Sequence, residues 1–299
     1  SGTTLYSAYT TASGRPYPKM MSSVTVKPKN STSVTISWAK NTSATGYIIE
    51  VYKSTGWTQI AKITSNSTLS YAATGLTPSV TYKFRIKAYN TSGGTTLYSA
   101  YTTASGRPYP KMMSYVKVTA RTASTITLSW SKNTSATGYV IEQYKSGKWV
   151  QIKNITANST ISLKVSGLAK STTHKFRIKA YNSSNGTTLY SAYTYMEGRP
   201  YPKMMSNVTV KPKNSTTVTI SWDKNTAATG YILEVYKSTG WTQIAKITSN
   251  ATLTYDVTGL VPSVNYKFRI KAYNTANDTT LYSAYTYMEG RPYPKMMSN

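Results

Sequence analysis

The heptapeptide Thr-Thr-Leu-Tyr-Ser-Ala-Tyr begins at Thr3, Thr95, Thr187 and Thr279, and Trp38, Trp130 and Trp222 keep the same step of 92 residues. No insertion or deletion breaks the register. A chain that repeats itself at one fixed spacing folds as a row of like units, so the fold question reduces to what one such unit can form. The copies run over 20–111, 112–203 and 204–295. Residues 1–19 read as the last strand and linker of a preceding repeat, and 296–299 as the start of a following one. The first and third copies resemble each other more than the first resembles the second. Divergence between neighbours limits cross-pairing of strands during folding, and the order of past duplications accounts for it equally well.

Within a unit the apolar period is two. Val34-Thr35-Ile36-Ser37-Trp38, Tyr47-Ile48-Ile49-Glu50-Val51-Tyr52 and Tyr82-Lys83-Phe84-Arg85-Ile86-Lys87-Ala88 all alternate between clusters of Asn, Thr, Ser and Gly, as half-buried antiparallel strands do. With Val24–Val26, Thr58–Ile63, Thr68–Tyr71 and Leu97–Thr102 the count is seven strands. No segment keeps a helical period. The fold class is therefore all-β: three tandem seven-stranded antiparallel β-sandwiches joined by short Pro-containing linkers.

Trp38 on the second strand, Gly46-Tyr47 opening the third, Thr74-Gly75-Leu76 before Tyr82, and the run from Tyr82 to Asn90 resemble fibronectin type III domains in every copy. Leu-Tyr-Ser-Ala-Tyr on the last strand and the long Lys-Ala-Tyr-Asn stretch resemble the bacterial surface-protein branch. The resemblance implies that Tyr82 and Tyr266 form tyrosine corners, each hydroxyl bonding to backbone just upstream. The second copy has His174 there, and a histidine filling the same corner is expected, since no other His and no Cys exists to complete a metal site.

Composition narrows the chemistry. Cysteine is absent, which excludes disulfide scaffolds, thiolate metal sites and cysteine nucleophiles. One His and the single acid shared by all copies (Glu50, Glu142, Glu234) leave no base for the many hydroxyls and no carboxylate pair. No enzyme, catalytic residue, metal site or cofactor is expected. A Lys–Asn crosslink would need a buried carboxylate, whereas alternation turns Glu50 outward. No apolar run is long enough to cross a bilayer, and Ser1-Gly2-Thr3-Thr4 lacks a signal-peptide pattern, so any export signal or anchor is expected outside this stretch. There are 28 Tyr against three Phe, which suits half-buried rings with wet hydroxyls. Asn-x-Ser/Thr sequons are frequent, for example at Asn30, Asn41, Asn66, Asn133, Asn154 and Asn277, as expected by chance in a chain this rich in Ser, Thr and Asn.

Thirty-five Lys and Arg against eight Asp and Glu give a net charge of +27, a field of one sign that attracts polyanions. The cations recur on one strand face. Lys83, Arg85, Lys87 and Tyr89 should point outward beside Tyr52, as should Lys175, Arg177, Lys179 and Tyr181 beside Tyr144, and Lys267, Arg269, Lys271 and Tyr273 beside Tyr236. This strip reads either as a basic-aromatic site for an anionic polysaccharide or cell-wall polymer, or as a solvated sheet face with Arg over Tyr and Glu50 offsetting one cation. Nucleic acid is not the expected partner, because charge alone favours it and no base-reading motif is visible.

The junction repeats with little change: Arg107, Pro108, Tyr109, Pro110, Met112 and Met113 return as Arg199, Pro200, Tyr201, Pro202, Met204 and Met205. Two prolines around a tyrosine favour a semi-rigid extended spacer, and the Met pair with Tyr109 offers apolar surface to pack between domains. A fixed step generates a helical rod. Thr3–Tyr9 is a last strand without its sandwich, to be left disordered, covered by an upstream unit, or covered by strand exchange with another chain; continuity with an upstream unit is the expectation. The expectation is a non-enzymatic stalk or filament, extracellular or on the cell surface, whose main partners are copies of itself. Adhesion to anionic polymer through the strip is the alternative.

Overall fold

Alternation along the sequence becomes alternation in space. The computed structural model describes residues 2–296, and no helix occurs among them. The first repeat holds β1 (Thr25–Pro28), β2 (Val34–Ser37), β3 (Gly46–Lys53), β4 (Gly56–Ile63), β5 (Ser70–Ala73), β6 (Tyr82–Ser92), β7 (Thr95–Tyr98) and β8 (Thr102–Gly106). One sheet has the order β1-β2-β5; the other runs β4-β3-β6, with both β7 and β8 paired to β6. All pairings are antiparallel. The third repeat reproduces the pattern from Thr209–Asn214 to Thr286–Gly290, and the second holds matching strands from Lys117–Arg121 to Thr194–Gly198. The chain forms two compact units. One contains the first repeat with Asn133–Gly138 and Ala180–Ala192; the other contains the third repeat with the rest of the second.

The sequence predicts one last strand per unit, and the structure breaks it in two. Tyr89 faces Tyr98 on β7, but Arg85 faces Thr103 on β8, so the register slips by one residue between them. The slip is a bulge held by Ser99: its N–H donates to Ala88 O at 2.9 Å, and its Oγ accepts from Ala88 N at 2.9 Å. The hydroxyl satisfies an N–H that the ladder leaves unpaired, and each repeat gains an eighth strand.

Val34, Ile36, Trp38, Tyr47, Ile49, Val51, Phe84, Ile86 and Ala88 form the core of the first repeat, the inward set that period two selects. Trp38 meets Tyr47 edge-on, with centroids 5.2 Å apart. Tyr47 is fully buried rather than half wet: its hydroxyl accepts from Asn41 N at 3.1 Å and donates to Asn66 O at 2.9 Å. Ile48, on the opposite face, is also buried; its cross-strand neighbours are Lys62 and Lys87, whose stems can shield it. Residues 2–24 form no strand, and Leu5, Tyr6 and Tyr9 are exposed.

Candidate functional site

Two constructions recur at the 92-residue step. The first lies on the outer face of the larger sheet. Arg85 on β6 stands beside Glu50 on β3, as the pairing register requires, and its Nε donates to Glu50 Oε2 at 2.6 Å. Tyr101 Oη donates to the other carboxylate oxygen at 2.6 Å. The guanidinium lies 4.5 Å from the Trp57 ring centroid and 3.9 Å from that of Tyr101. Lys87 Nζ continues the stack, 4.6 Å from Tyr101 and 4.4 Å from Tyr98. Ring and cation thus alternate from Trp57 through Arg85, Tyr101 and Lys87 to Tyr98, each cation attracted to the negative faces of its rings. Trp241, Arg269, Tyr285, Lys271 and Tyr282 repeat the ladder, and Glu234 again pairs with its arginine. Trp149, Arg177, Tyr193 and Lys179 do so in the second repeat.

Burial alone would raise the Glu50 pKa, but the hydrogen bonds from Tyr101 and Arg85 and the charges of Arg85 and Lys87 outweigh it and hold the carboxyl below its ordinary range. Glu142 is lowered by the same balance. The ladder therefore spends its charge internally. Tyr89, Tyr181 and Tyr273, placed by alternation on the open face, are buried. Tyr89 and Tyr273 donate to Ile63 O and Ile247 O, so these rings pack against the neighbouring strand and do not offer a stacking surface. Tyr52, Tyr144 and Tyr236 are exposed, as are Lys83, Lys175 and Lys267.

The second construction is the junction. Arg107 is buried against the hairpin formed by Tyr181–Ser184 and Thr187–Tyr190. Its Nη2 donates to Thr187 O at 2.6 Å and Asn182 O at 3.2 Å, and its Nη1 to Ser184 O at 3.2 Å. Arg15 donates to Thr95 O at 2.8 Å, and Arg199 to Thr279 O at 2.7 Å. Each arginine thus grips carbonyls 80 residues ahead. Desolvation lowers the pKa of Arg107, and of Arg199, where Arg121 adds repulsion; a guanidinium stays charged regardless. Carbonyls at a hairpin end supply the partial negative charge that makes burying it tolerable.

Side chains fix the rest of the linker. Asn41 Nδ2 donates to Lys19 O, Asn133 Nδ2 to Lys111 O and Asn225 Nδ2 to Lys203 O, at 2.7 to 2.8 Å. Tyr109 N–H donates back to Asn30 O, and Tyr201 N–H to Thr122 O. Pro108, Pro110, Pro200 and Pro202 are buried. The methionines divide the work differently from the expectation that both pack between domains: Met113 and Met205 are buried, Met205 in the core of its own repeat, whereas Met112 and Met204 are exposed. Asn41 and Asn133 are buried as well, so the sequence pattern there serves linker binding and not glycan attachment.

Thr77 N–H donates to Tyr82 Oη at 2.9 Å, and Val261 N–H to Tyr266 Oη at the same distance. His174 fills the equivalent corner with reversed polarity, its Nε2 3.1 Å from Ala169 O and its Nδ1 3.2 Å from Gln143 Nε2. No group of three or more His, Cys, Asp or Glu side chains suited to a metal occurs among the described residues.

Sequence reasoning found the cations and the junction but missed Trp57, Tyr98 and Tyr101 as members of the ladder. Their signal was the recurrence of Trp57 as Trp149 and Trp241, and of Leu-Tyr-Ser-Ala-Tyr, at the repeat step.

Paired antiparallel sheets in tandem, with tyrosine corners and ordered linkers, define a class of modular β-sandwich proteins. The family model for the fibronectin type III domain matches residues 18–105, 110–196 and 201–289, and the chain belongs to that family. It is 25% identical to exoglucanase B of Cellulomonas fimi over 270 residues, covering 85% of this chain and 24% of that protein. It is 26% identical to fibronectin type-III domain-containing protein 3a of Gallus gallus over 266 residues, covering 84% of this chain and 21% of that one. The chain thus spans about a quarter or less of the length of these relatives. A two-domain fibronectin type III segment of chicken tenascin aligns with a TM-score of 0.41 at 17% identity, over 60% of this chain and 99% of that one.

Proposed function

We propose that this chain is a non-enzymatic, extracellular structural array, a spacer or filament segment whose partners are further copies of the same repeat. The observation that carries the reading is the arginine grip, made by Arg15, Arg107 and Arg199 at one constant offset. A linker that served only as a tether would not bury a cation in the hairpin of the repeat that follows it. No helix among the described residues is long and apolar enough to cross a membrane. Electron microscopy of the native material tests the proposal: regular beaded strands with an axial step of one domain support it, and randomly bent strings count against a mechanical role. Binding of anionic polymer through the strip is the weaker reading, because Arg85 and its counterparts are already paired with carboxylates and enclosed by rings.

A further inference from the structure

The three repeats share the ladder but not its surroundings. Where the first repeat has Thr103 and Ser105, the second has Tyr195 and Glu197 and the third Tyr287 and Glu289. Tyr287 stands edge-on to Trp241, centroids 5.7 Å apart, and Tyr236 flanks the same indole at 5.4 Å. Trp149 is flanked in the same way by Tyr144 and Tyr195. Tyr195 and Tyr287 are each 62% exposed. Three adjoining rings on a solvent-facing sheet are unusual where single exposed aromatics are not. In the third repeat Trp241, Tyr287 and Glu289 help to line an open groove of about 460 Å³, within the range of small-ligand sites.

The local charge is close to balanced even though the chain carries +27. Arg269 is paired with Glu234, and Lys267 lies 3.9 Å from Glu289, which also accepts from Asn265 at 3.0 Å. Such a groove does not select a polyanion. It presents flat apolar rings beside a rim of polar groups of both signs, which matches a sugar ring: one face of C–H groups to lie on the aromatic surface, and an edge of hydroxyls to meet the polar rim.

We infer that Trp241 with Tyr287, and Trp149 with Tyr195, form two equivalent stacking subsites for the pyranose units of a neutral polysaccharide, and that the first repeat has none. Two weak sites on one chain raise its hold on a polymer through effective concentration. This inference does not rest on the array reading: a spacer that grips a neutral glycan and one that does not have the same junctions.

Affinity electrophoresis in gels containing hydroxyethylcellulose or galactomannan, with alginate as the anionic control, tests it. Retardation by at least one neutral polymer is expected, persisting at about 0.5 M NaCl, where exposed charge pairs are screened. Replacing Tyr195→Thr and Tyr287→Thr together, which installs the residue of the first repeat, should weaken it by about tenfold or more, and Thr103→Tyr with Ser105→Glu should strengthen it. Unchanged thermal unfolding of the Thr variant shows that the folds survive. No retardation by either neutral polymer, retardation that ignores Tyr195 and Tyr287, or retardation by alginate alone that salt abolishes would each overturn the assignment.

Discussion

Glu50 faces outward, yet its carboxylate accepts from Arg85 and Tyr101 at 2.6 Å each, which makes it a structural acid and not a solvating one. Its pKa and that of Glu142 lie below the usual 4.5. A depressed folded-state value means that the stability it confers is complete above the unfolded value and is lost as pH falls through the folded one. Glu50→Gln with Glu142→Gln should therefore cost about 2 kcal/mol per site at neutral pH. The gap from wild type should begin to narrow as pH falls below the unfolded value of 4.5 and close only once pH has fallen through the lower folded value. Urea unfolding of the full chain at several pH values reads this; a gap that stays constant down to acid pH would show that the carboxylates confer nothing through their charge. His174 makes the second case. It forms a pair with Gln143, whereas the other repeats have Val51 and Val235 at the position of Gln143 and Tyr82 and Tyr266 at that of His174. Gln143 is buried with its Oε1 unpartnered, a cost of about 1–3 kcal/mol. Gln143→Val with His174→Tyr should stabilise the second repeat by more than the two single changes sum to, and a double-mutant cycle on the full chain measures that coupling.

Among elements, β3 is set against its neighbours by a residue with no side chain. A Cβ at Gly46 would lie 1.9 Å from Ile63 O and 2.8 Å from Tyr89 Oη, and Gly230 meets Ile247 O at the same 1.9 Å. Gly46→Ala must push β4 away from β3 and break the buried tyrosine's bond to Ile63 O, so a loss of about 3 kcal/mol or more is expected. Faster amide hydrogen exchange confined to β3, β4 and β6 would confirm it; exchange at wild-type rates would not fit the geometry. The strands themselves were legible in the sequence, because period two identifies inward residues wherever one face is buried. The eighth strand was not, because the bulge depends on a hydroxyl, Ser99, replacing a ladder acceptor, and alternation carries no trace of it. The ladder was half legible. Alternation puts Arg85 and Lys87 outward, but which rings adjoin them depends on strand order, so Trp57 and Tyr101 could not be named. The same limit misplaced Tyr89: it lies on the outer side by parity, yet its ring is covered by the neighbouring strand.

At the scale of the molecule, the proposed array rests on the junction. Near-identity of the linkers marked them as constrained, but the receiving site is made of backbone carbonyls, which leave no signature in a sequence. Of the methionine pair expected to pack, Met113 is buried while Met112 stays exposed. Two constraints act on the linker: proline stiffness, and the grip of Arg107 on Asn182, Ser184 and Thr187. They can be separated. Arg107→Ala with Arg199→Ala removes the grip and leaves the prolines, and it also removes two buried cations, so the sandwiches themselves should keep their thermal stability within about 1 kcal/mol. If the grip holds the junction, these variants should broaden the distance distribution between spin labels at Lys53 and Lys145, exposed positions in successive repeats, and should speed protease cleavage near Tyr109. Lysine in place of arginine restores charge but not the fork that spans several carbonyls, and should rescue little. Pro108→Gly with Pro110→Gly gives the complementary test. A narrow distance distribution that survives loss of the arginines but not of the prolines would assign stiffness to the linker backbone alone, and the buried arginines would then be only fillers of a hairpin end.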